Sequence, residues 1–394
     1  MAFKDALGAR AVEKLAHAME RAYAARPGQR HEHEHFEPCQ RLEHEHFDSA
    51  GFRRAALEGL GALELKARVH HVARALRAHL PAALDEALSL AREAGARWEP
   101  GDSSDPTRGF AAWPLLELVG LYGLDDDARC FDQALATLRA LTPLFSAEFA
   151  VRPFLAHDPA RALATLATFT RDPDPHVRRL VSEGTRPRLP WGARLGAFID
   201  EPTLTLPLLD ALVGDDSEYV RRSVANHLND VGKDHPELAL ATLERWSRGD
   251  ASPARVALVK HAARSLVKAG HPRALALVGA SLGAELAVGK LVITPRKVRL
   301  GEALALRARL TSRAPERATW VLDYAVHRPT KAGRTSTKVW KGARVTLEPG
   351  ETRTFEKRHV LAEVTVRTLH AGRYQVELLV NGAAHARSWF ELDA

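Results

Sequence analysis

Asp172-Pro-Asp-Pro-His-Val-Arg-Arg-Leu-Val181 and Asp215-Asp-Ser-Glu-Tyr-Val-Arg-Arg-Ser-Val224 are one unit written twice, 43 residues apart. The frames coincide, so Val177 falls on Val220, Arg178 on Arg221 and Arg179 on Arg222. A polar cap, an apolar residue, two arginines and another apolar residue describe a helix start that buries one face and turns basic groups outward. Repetition of such a start predicts stacked helix pairs, because one pair alone cannot cover its own apolar face.

A spacing of 43 residues lies in the range of HEAT-type repeats. Outward from the duplication the pattern stays helical from about residue 3 to 285. Leu63, Leu65, Val69, Val72, Ala73 and Leu76 recur at helical spacing, with Lys66, Arg68 and Arg74 off that face. Pro100-Gly101-Asp102, Asp158-Pro159, Gly214-Asp215-Asp216 and Gly270-His271-Pro272 punctuate the helices. His261 and His271-Pro272 echo His227 and His235-Pro236, which predicts a third, degraded copy.

After about residue 286 the period falls from 3.6 to 2. Leu304, Leu306, Ala308 and Leu310 alternate with Ala305, Arg307, Arg309 and Thr311, and Trp320, Leu322, Tyr324 and Val326 repeat the alternation. Tyr374, Val376, Leu378 and Val380 lead into Asn381-Gly382, a two-residue hairpin signal. Roughly seven short strands make a β-sandwich, and Ala371-Gly372-Arg373-Tyr374 looks like a tyrosine corner. The expected architecture is an all-α HEAT-like-repeat solenoid over residues 1–285, followed by an all-β immunoglobulin-like sandwich over 286–394.

The chain has 394 residues and a net charge of +7. Residues 290–394 hold 20 Lys and Arg against 10 Asp and Glu, so the remainder carries −3 and any basic stripe there is local. That pattern points to an anionic partner. No apolar run approaches the ~20 residues of a membrane span, and the N-terminus lacks a signal-peptide pattern, so a bacterial cytoplasmic, nucleoid-associated monomer is expected. Cys39 and Cys130 are too few for a disulfide framework. Residues 31–47, in which Glu-His-Glu-His-Phe occurs twice, read as an insertion loop between the first helices. Its histidines match no zinc spacing, so neither a metal nor a cofactor is expected.

Chemistry concentrates in three stretches. Trp113 and Glu117 are four apart and share a helix face. Glu148 stands in Leu144-Phe-Ser-Ala-Glu-Phe-Ala-Val-Arg152, either as a second acid or as the partner of Arg152. Glu183-Gly-Thr-Arg186-Pro-Arg188-Leu-Pro-Trp191 carries two prolines that forbid a regular helix and leave a rigid, basic loop ending in an aromatic ring. Aromatics and carboxylates on a basic surface suit a nucleobase alkylated on a ring nitrogen. Such a base is cationic, so an indole face attracts it, and a carboxylate stabilises the sugar cation left when the glycosidic bond breaks.

The Trp113-x-x-x-Glu117 element, the Glu183–Trp191 loop and the Val220–Asp230 helix resemble the bacterial DNA alkylation repair glycosylases of the AlkC and AlkD superfamily. Phe3-Lys-Asp-Ala-Leu-Gly, Leu63-Glu-Leu-Lys-Ala-Arg-Val and the appended sandwich resemble the AlkC branch. The resemblance implies a glycosylase that removes 3-methylcytosine, 1-methyladenine and 3-methyladenine from a kinked duplex without a deep base-flipping pocket. It assigns Glu117 as the catalytic acid, Trp113 to the lesion-facing helix, Trp191 to the DNA-facing loop and Glu148 as a second acid. Phosphate contacts fall to Arg152, Arg178, Arg179, Arg186, Arg188, Arg221, Arg222, Asn226, His227, Lys260 and Arg264, with Lys331, Arg334, Lys338 and Lys341 as sandwich candidates. A non-catalytic DNA-binding repeat protein and a protein-binding scaffold remain open alternatives.

Overall fold

The computed structural model describes residues 3–26, 46–102, 107–124, 128–330, 334–362 and 369–393. Two compact units divide at 230/231. The first holds α1 (Ala9–Ala24), α2 (Ser49–Leu57), α3 (Leu65–Ala78), α4 (Leu84–Ala96), α5 (Trp113–Tyr122), α6 (Ala128–Leu141), α7 (Arg152–His157), α8 (Pro159–Phe169), α9 (Pro175–Gly184), α10 (Gly196–Asp200), α11 (Leu206–Leu212) and nearly all of α12 (Glu218–Val231). The second holds α13 (Pro236–Ser247), α14 (Pro253–Ala262), α15 (Arg264–Lys268) and α16 (Pro272–Leu277), then the strands.

The repeat is visible in its turns. Asp172, Asp215 and Asp250 each accept a hydrogen bond from the backbone N–H two residues on, at 2.9 Å in all three, which folds the chain into an Asx turn before the helix. Asp174 and Ser252 then cap α9 and α14, with Pro175 and Pro253 in the first turn, where a missing N–H costs nothing. The third repeat therefore starts at Asp250, 35 residues after Asp215, in step with the histidine echo of His227 and His235-Pro236 at His261 and His271-Pro272. Successive repeats are tied together. Arg139 of α6 donates to Asp172 at 2.6 Å, and Arg178 of α9 grips Asp215 with two nitrogens at 2.6 and 2.9 Å. Between helices lie Leu15, Met19, Phe52, Leu76, Leu88 and Phe154, all essentially inaccessible to solvent. Each such side chain contributes roughly 1.5–3 kcal/mol by leaving water.

Nine strands follow: β1 (Leu286–Val288), β2 (Val292–Thr294), β3 (Lys297–Arg299), β4 (Ala303–Ser312), β5 (Ala318–Pro329), β6 (Thr335–Leu347), β7 (Thr352–Val360), β8 (Gly372–Val380) and β9 (Ala383–Asp393). In one sheet β4 pairs with β1 and β2 along one edge and β7 along the other; the second runs β3-β9-β8-β5-β6. Alternate residues of both sheets, among them Leu306, Leu310, Trp320, Phe355, Val376 and Phe390, form one core. Asn381 and Gly382 both have positive φ, 47° and 82°, so β8 and β9 are joined by the two-residue hairpin that Asn-Gly predicts. The Tyr374 hydroxyl donates to the His370 carbonyl at 2.7 Å, closing the tyrosine corner.

The last helices of the repeat pack on this sandwich. Gly270 and Gly382 meet so closely that a Cβ on Gly382 would lie 2.3 Å from the Gly270 Cα. Arg344 donates to the Gly279 carbonyl at 2.9 Å, and Ser281 and Thr319 exchange bonds of 2.7 and 3.0 Å. Helix gives way to strand at Leu286, yet α13–α16 lie in the compact unit of the strands.

Candidate active site

α5 begins Trp113-Pro114, a proline in the first turn, and one turn later presents Glu117. The helix can sit low against the next segment because Gly120 has no side chain: a Cβ there would lie 2.9 Å from the Ala150 Cα. Backbone thus meets backbone where the turn carrying Glu148 runs into α7. The Trp113 ring stacks on Phe145 and Phe149, with centroids 4.8 and 5.5 Å away. At 3 % exposure it is buried among Leu7, Ala11, Val69 and Ala111. On the helix that the resemblance assigns to the lesion, the Trp113 indole is thus buried and supports the wall, while Phe145 and Phe149 are the half-buried aromatics of that wall. Glu117 is 12 % exposed, and its Oε1 lies 2.9 Å from Nε2 of His70 on α3. Its Oε2 is buried and makes no hydrogen bond to protein.

Glu148 belongs to a chain of charges that runs from the turn before α7 through α9 and its following loop to α12. Its Oε2 lies 2.5 Å from Arg179 and accepts from Ser146 Oγ at 2.7 Å, while Arg179 also donates to Ser146 at 2.7 Å. Arg179 reaches Glu183 at 3.5 Å and lies under the Tyr219 ring, 5.1 Å from its centroid. Glu183 accepts from Arg186 at 2.6 Å and from Ser223 at 2.7 Å, and Arg186 donates to Asp230 at 2.8 Å. Burial works against the charged form of Arg179, but Glu183 and Glu148 outweigh it and hold the guanidinium above its ordinary range. Arg186 is displaced the same way by Glu183 and Asp230. These three carboxylates and two guanidiniums are so closely engaged that removing one strands its neighbour in a poorly solvated place.

The loop after α9 lifts Trp191 into solvent, 69 % exposed, with φ of +64°. A tryptophan in the left-handed region is strained, which requires the surrounding structure to impose the conformation. Arg152 does so from beneath, donating to the carbonyls of Gly184, Arg186 and Ala193 at 2.8, 2.9 and 2.7 Å. Lys66 of α3 holds the Trp191 carbonyl itself at 2.8 Å and lies 5.3 Å from the Phe149 ring centroid.

Several expected phosphate contacts are otherwise employed. Arg152 and Arg186 are 2 % and 6 % exposed and brace the loop and the acid chain; burial, aided by the like charge of Arg186, pulls the Arg152 guanidinium down to about 10. His227 is wholly buried, 3.0 Å from the Ser182 carbonyl and 3.1 Å from the Thr205 hydroxyl. These three side chains are buried and spend their polar groups on protein partners, against the expectation of surface phosphate contacts. Arg178 and Arg221, the first arginines of the duplicated pair, fold back onto the carbonyls five and six residues before them, and so serve the turns. The second arginines diverge: Arg179 is turned into the acid chain and Arg222 is exposed. Arg188 and Asn226 are half-buried, Lys260 is exposed, and Arg264 donates to the His261 carbonyl at 2.6 Å. On the sandwich Lys338 sits 3.8 Å over the Trp340 ring; Lys331 lies outside the described residues, as do residues 31–45 of the histidine-rich stretch. Among the described residues no three His, Cys, Asp or Glu side chains group to hold a metal. None is long and apolar enough as a helix to cross a membrane. His70 and Tyr219 were missed because each meets its partner across helices, at separations no local spacing encodes, and Ser146 because its link to Arg179 spans 33 residues.

Fold and site define a HEAT-like helical-repeat protein with an immunoglobulin-like sandwich and a surface of acids, arginines and one projecting indole. Residues 287–394 match the family described as the C-terminal Ig-like domain of YhaZ. Over 83 % of the chain and 87 % of the relative, the sequence is 32 % identical to the uncharacterised protein YhaZ of Bacillus subtilis (strain 168). The structure of the Pseudomonas fluorescens alkylpurine DNA glycosylase AlkC, bound to DNA containing an abasic site analogue, is similar over 100 % of both chains, with a TM-score of 0.85 and 35 % identity. The chain belongs to the AlkC and YhaZ family.

Proposed function

We propose that the protein is a DNA glycosylase that excises cationic N-alkylated bases, such as 3-methylcytosine, 1-methyladenine and 3-methyladenine, from duplex DNA without deep base flipping. What carries the reading is the whole-length likeness to AlkC, a glycosylase whose structure holds DNA, combined with a largely buried carboxylate at Glu117. In the reaction the bond from C1′ to the base nitrogen breaks and its electron pair neutralises the cationic base, so no strong general acid is needed. Water adds to C1′, and its proton passes to Glu117, whose negative charge stabilises the sugar cation between the two events. Trp191, held above the surface by Arg152 and Lys66, meets the duplex beside the lesion. Arg188, Arg222 and Asn226 serve the phosphates, and Glu148, with its charge shared by Arg179, is a second acid at the margin of the site.

Release of free base from duplex DNA containing 3-methylcytosine or 3-methyladenine tests this, wild type against Glu117→Gln. Release by wild type and not by the variant, with DNA affinity equal, is the expected result. Binding without release by wild type would leave a non-catalytic DNA-binding repeat protein.

A further inference from the structure

We infer that His70 is a positioning residue for Glu117, fixing the orientation of its carboxylate; the inference rests on the glycosylase reading above. His70 stands on α3, and the packing of α3 against α5 brings its Nε2 to 2.9 Å from Glu117 Oε1. The imidazole is 35 % exposed and the carboxylate 12 %, so His70 is the outer member of the pair. Oε2 is buried and bonds to no protein group. The two oxygens are therefore unlike. One is held by a side chain from another helix, and the other is turned into the protein.

A carboxylate free to spin spreads its charge over many directions, whereas one held at Oε1 keeps its charge in a fixed orientation. A neutral imidazole N–H is enough to do this, and it leaves intact the negative charge that the sugar cation requires. Phe149, which stacks on Trp113 in the wall, has no hydrogen-bonding group to replace it. Lys66, one turn before His70 on the same helix, is engaged with the Trp191 carbonyl instead.

The experiment measures single-turnover base release and DNA affinity for the full chain with His70→Ala and His70→Gln. His70→Ala is expected to slow release on the order of 10- to 100-fold, as misplacement of a reacting group does, with Kd within about twofold of wild type. His70→Gln, whose side-chain amide can donate to Oε1, is expected to recover most of the rate. An undiminished rate in His70→Ala would overturn the inference. So would a loss shared equally by rate and affinity, or one that glutamine does not repair. If wild type releases no base, it is the glycosylase reading that fails. The contact itself is then judged by the ring 15N resonances of His70, which must move on Glu117→Gln; resonances that stay put would overturn the positioning role independently of activity.

Discussion

Below neutral pH the first unit should lose stability through one residue, His227. Its ring is completely buried. Nδ1–H donates to the Ser182 carbonyl and Nε2 faces the Thr205 hydroxyl, partners that fit the neutral tautomer. Burial disfavours the imidazolium and brings the group down from 6.5 to about 4. The unfolded chain takes up a proton near 6.5 while the folded one refuses it until about 4. Stability is thus fully present above 6.5 and drains away as the pH falls toward 4, below which both states are protonated and the loss stops. At about 1.4 kcal/mol per pH unit the window is worth about 3 kcal/mol. For a unit of this size that corresponds to roughly 6–12 °C in Tm. Thermal unfolding of wild type and His227→Gln between pH 7.5 and 4, roughly the span of the linkage, provides the assay. Glutamine is expected to lower Tm at neutral pH, by about 1–3 kcal/mol for an imperfectly satisfied buried group, but to flatten the acid limb by the amount above. Every other titrating group is common to the two proteins, so the difference between their slopes isolates His227. Parallel curves would refute the reasoning, since they would mean that His227 is protonated in the fold or that its burial carries no such penalty.

Arg186→Ala leaves Glu183 and Asp230 without their shared cation, so a loss of about 3–5 kcal/mol in urea unfolding is expected, against little change for the exposed Arg222→Ala. Conversely, Arg222→Ala should weaken DNA binding and reduce the slope of log K against log salt by about one, the signature of one lost phosphate contact; an unaltered slope would remove Arg222 from the interface. Trp191→Gly relieves a strained backbone, so melting temperature should hold or rise by the equivalent of about 1 kcal/mol while lesion excision falls. A chain ended after residue 285 should be less soluble and less stable than one ended after 230, because it keeps α13–α16 without the sandwich on which they pack; equal behaviour in thermal unfolding would contradict that packing.

Much of the architecture was legible because it follows from periodicity. The switch from 3.6 to 2 near residue 286, the Asn381-Gly382 hairpin and the repeated helix starts are local signals, and each appears in the structure where the pattern put it. The third repeat was legible too, in the histidine echo and in its Asp250-x-Ser-Pro turn, which share one spacing. The site was harder to read. Nothing in Trp113-x-x-x-Glu117 distinguishes a ring that faces the substrate from one buried behind Phe145 and Phe149, because a helix face has no label for what covers it. Paired arginines likewise read as a basic stripe, although adjacent residues point about 100° apart. That divergence sends Arg178 to the turns and Arg179 to the acids. His227 and Arg186, polar and therefore expected outside, are inside because the network buried with them satisfies their hydrogen bonds.

The three carbonyls that Arg152 gathers under the Trp191 loop bear on selectivity under the proposed function. A loop ordered during folding has no ordering left to do on encounter, so it cannot reshape itself around one methylated base or another. A stiff probe of that kind senses how readily the duplex gives way. Steps weakened by a lesion that cannot pair or stack well will kink around the indole at little expense, and intact steps will resist. On that account the enzyme would sort DNA by its compliance as much as by the outline of the damaged base, and lesions of different shape but similar effect on the helix would be handled alike.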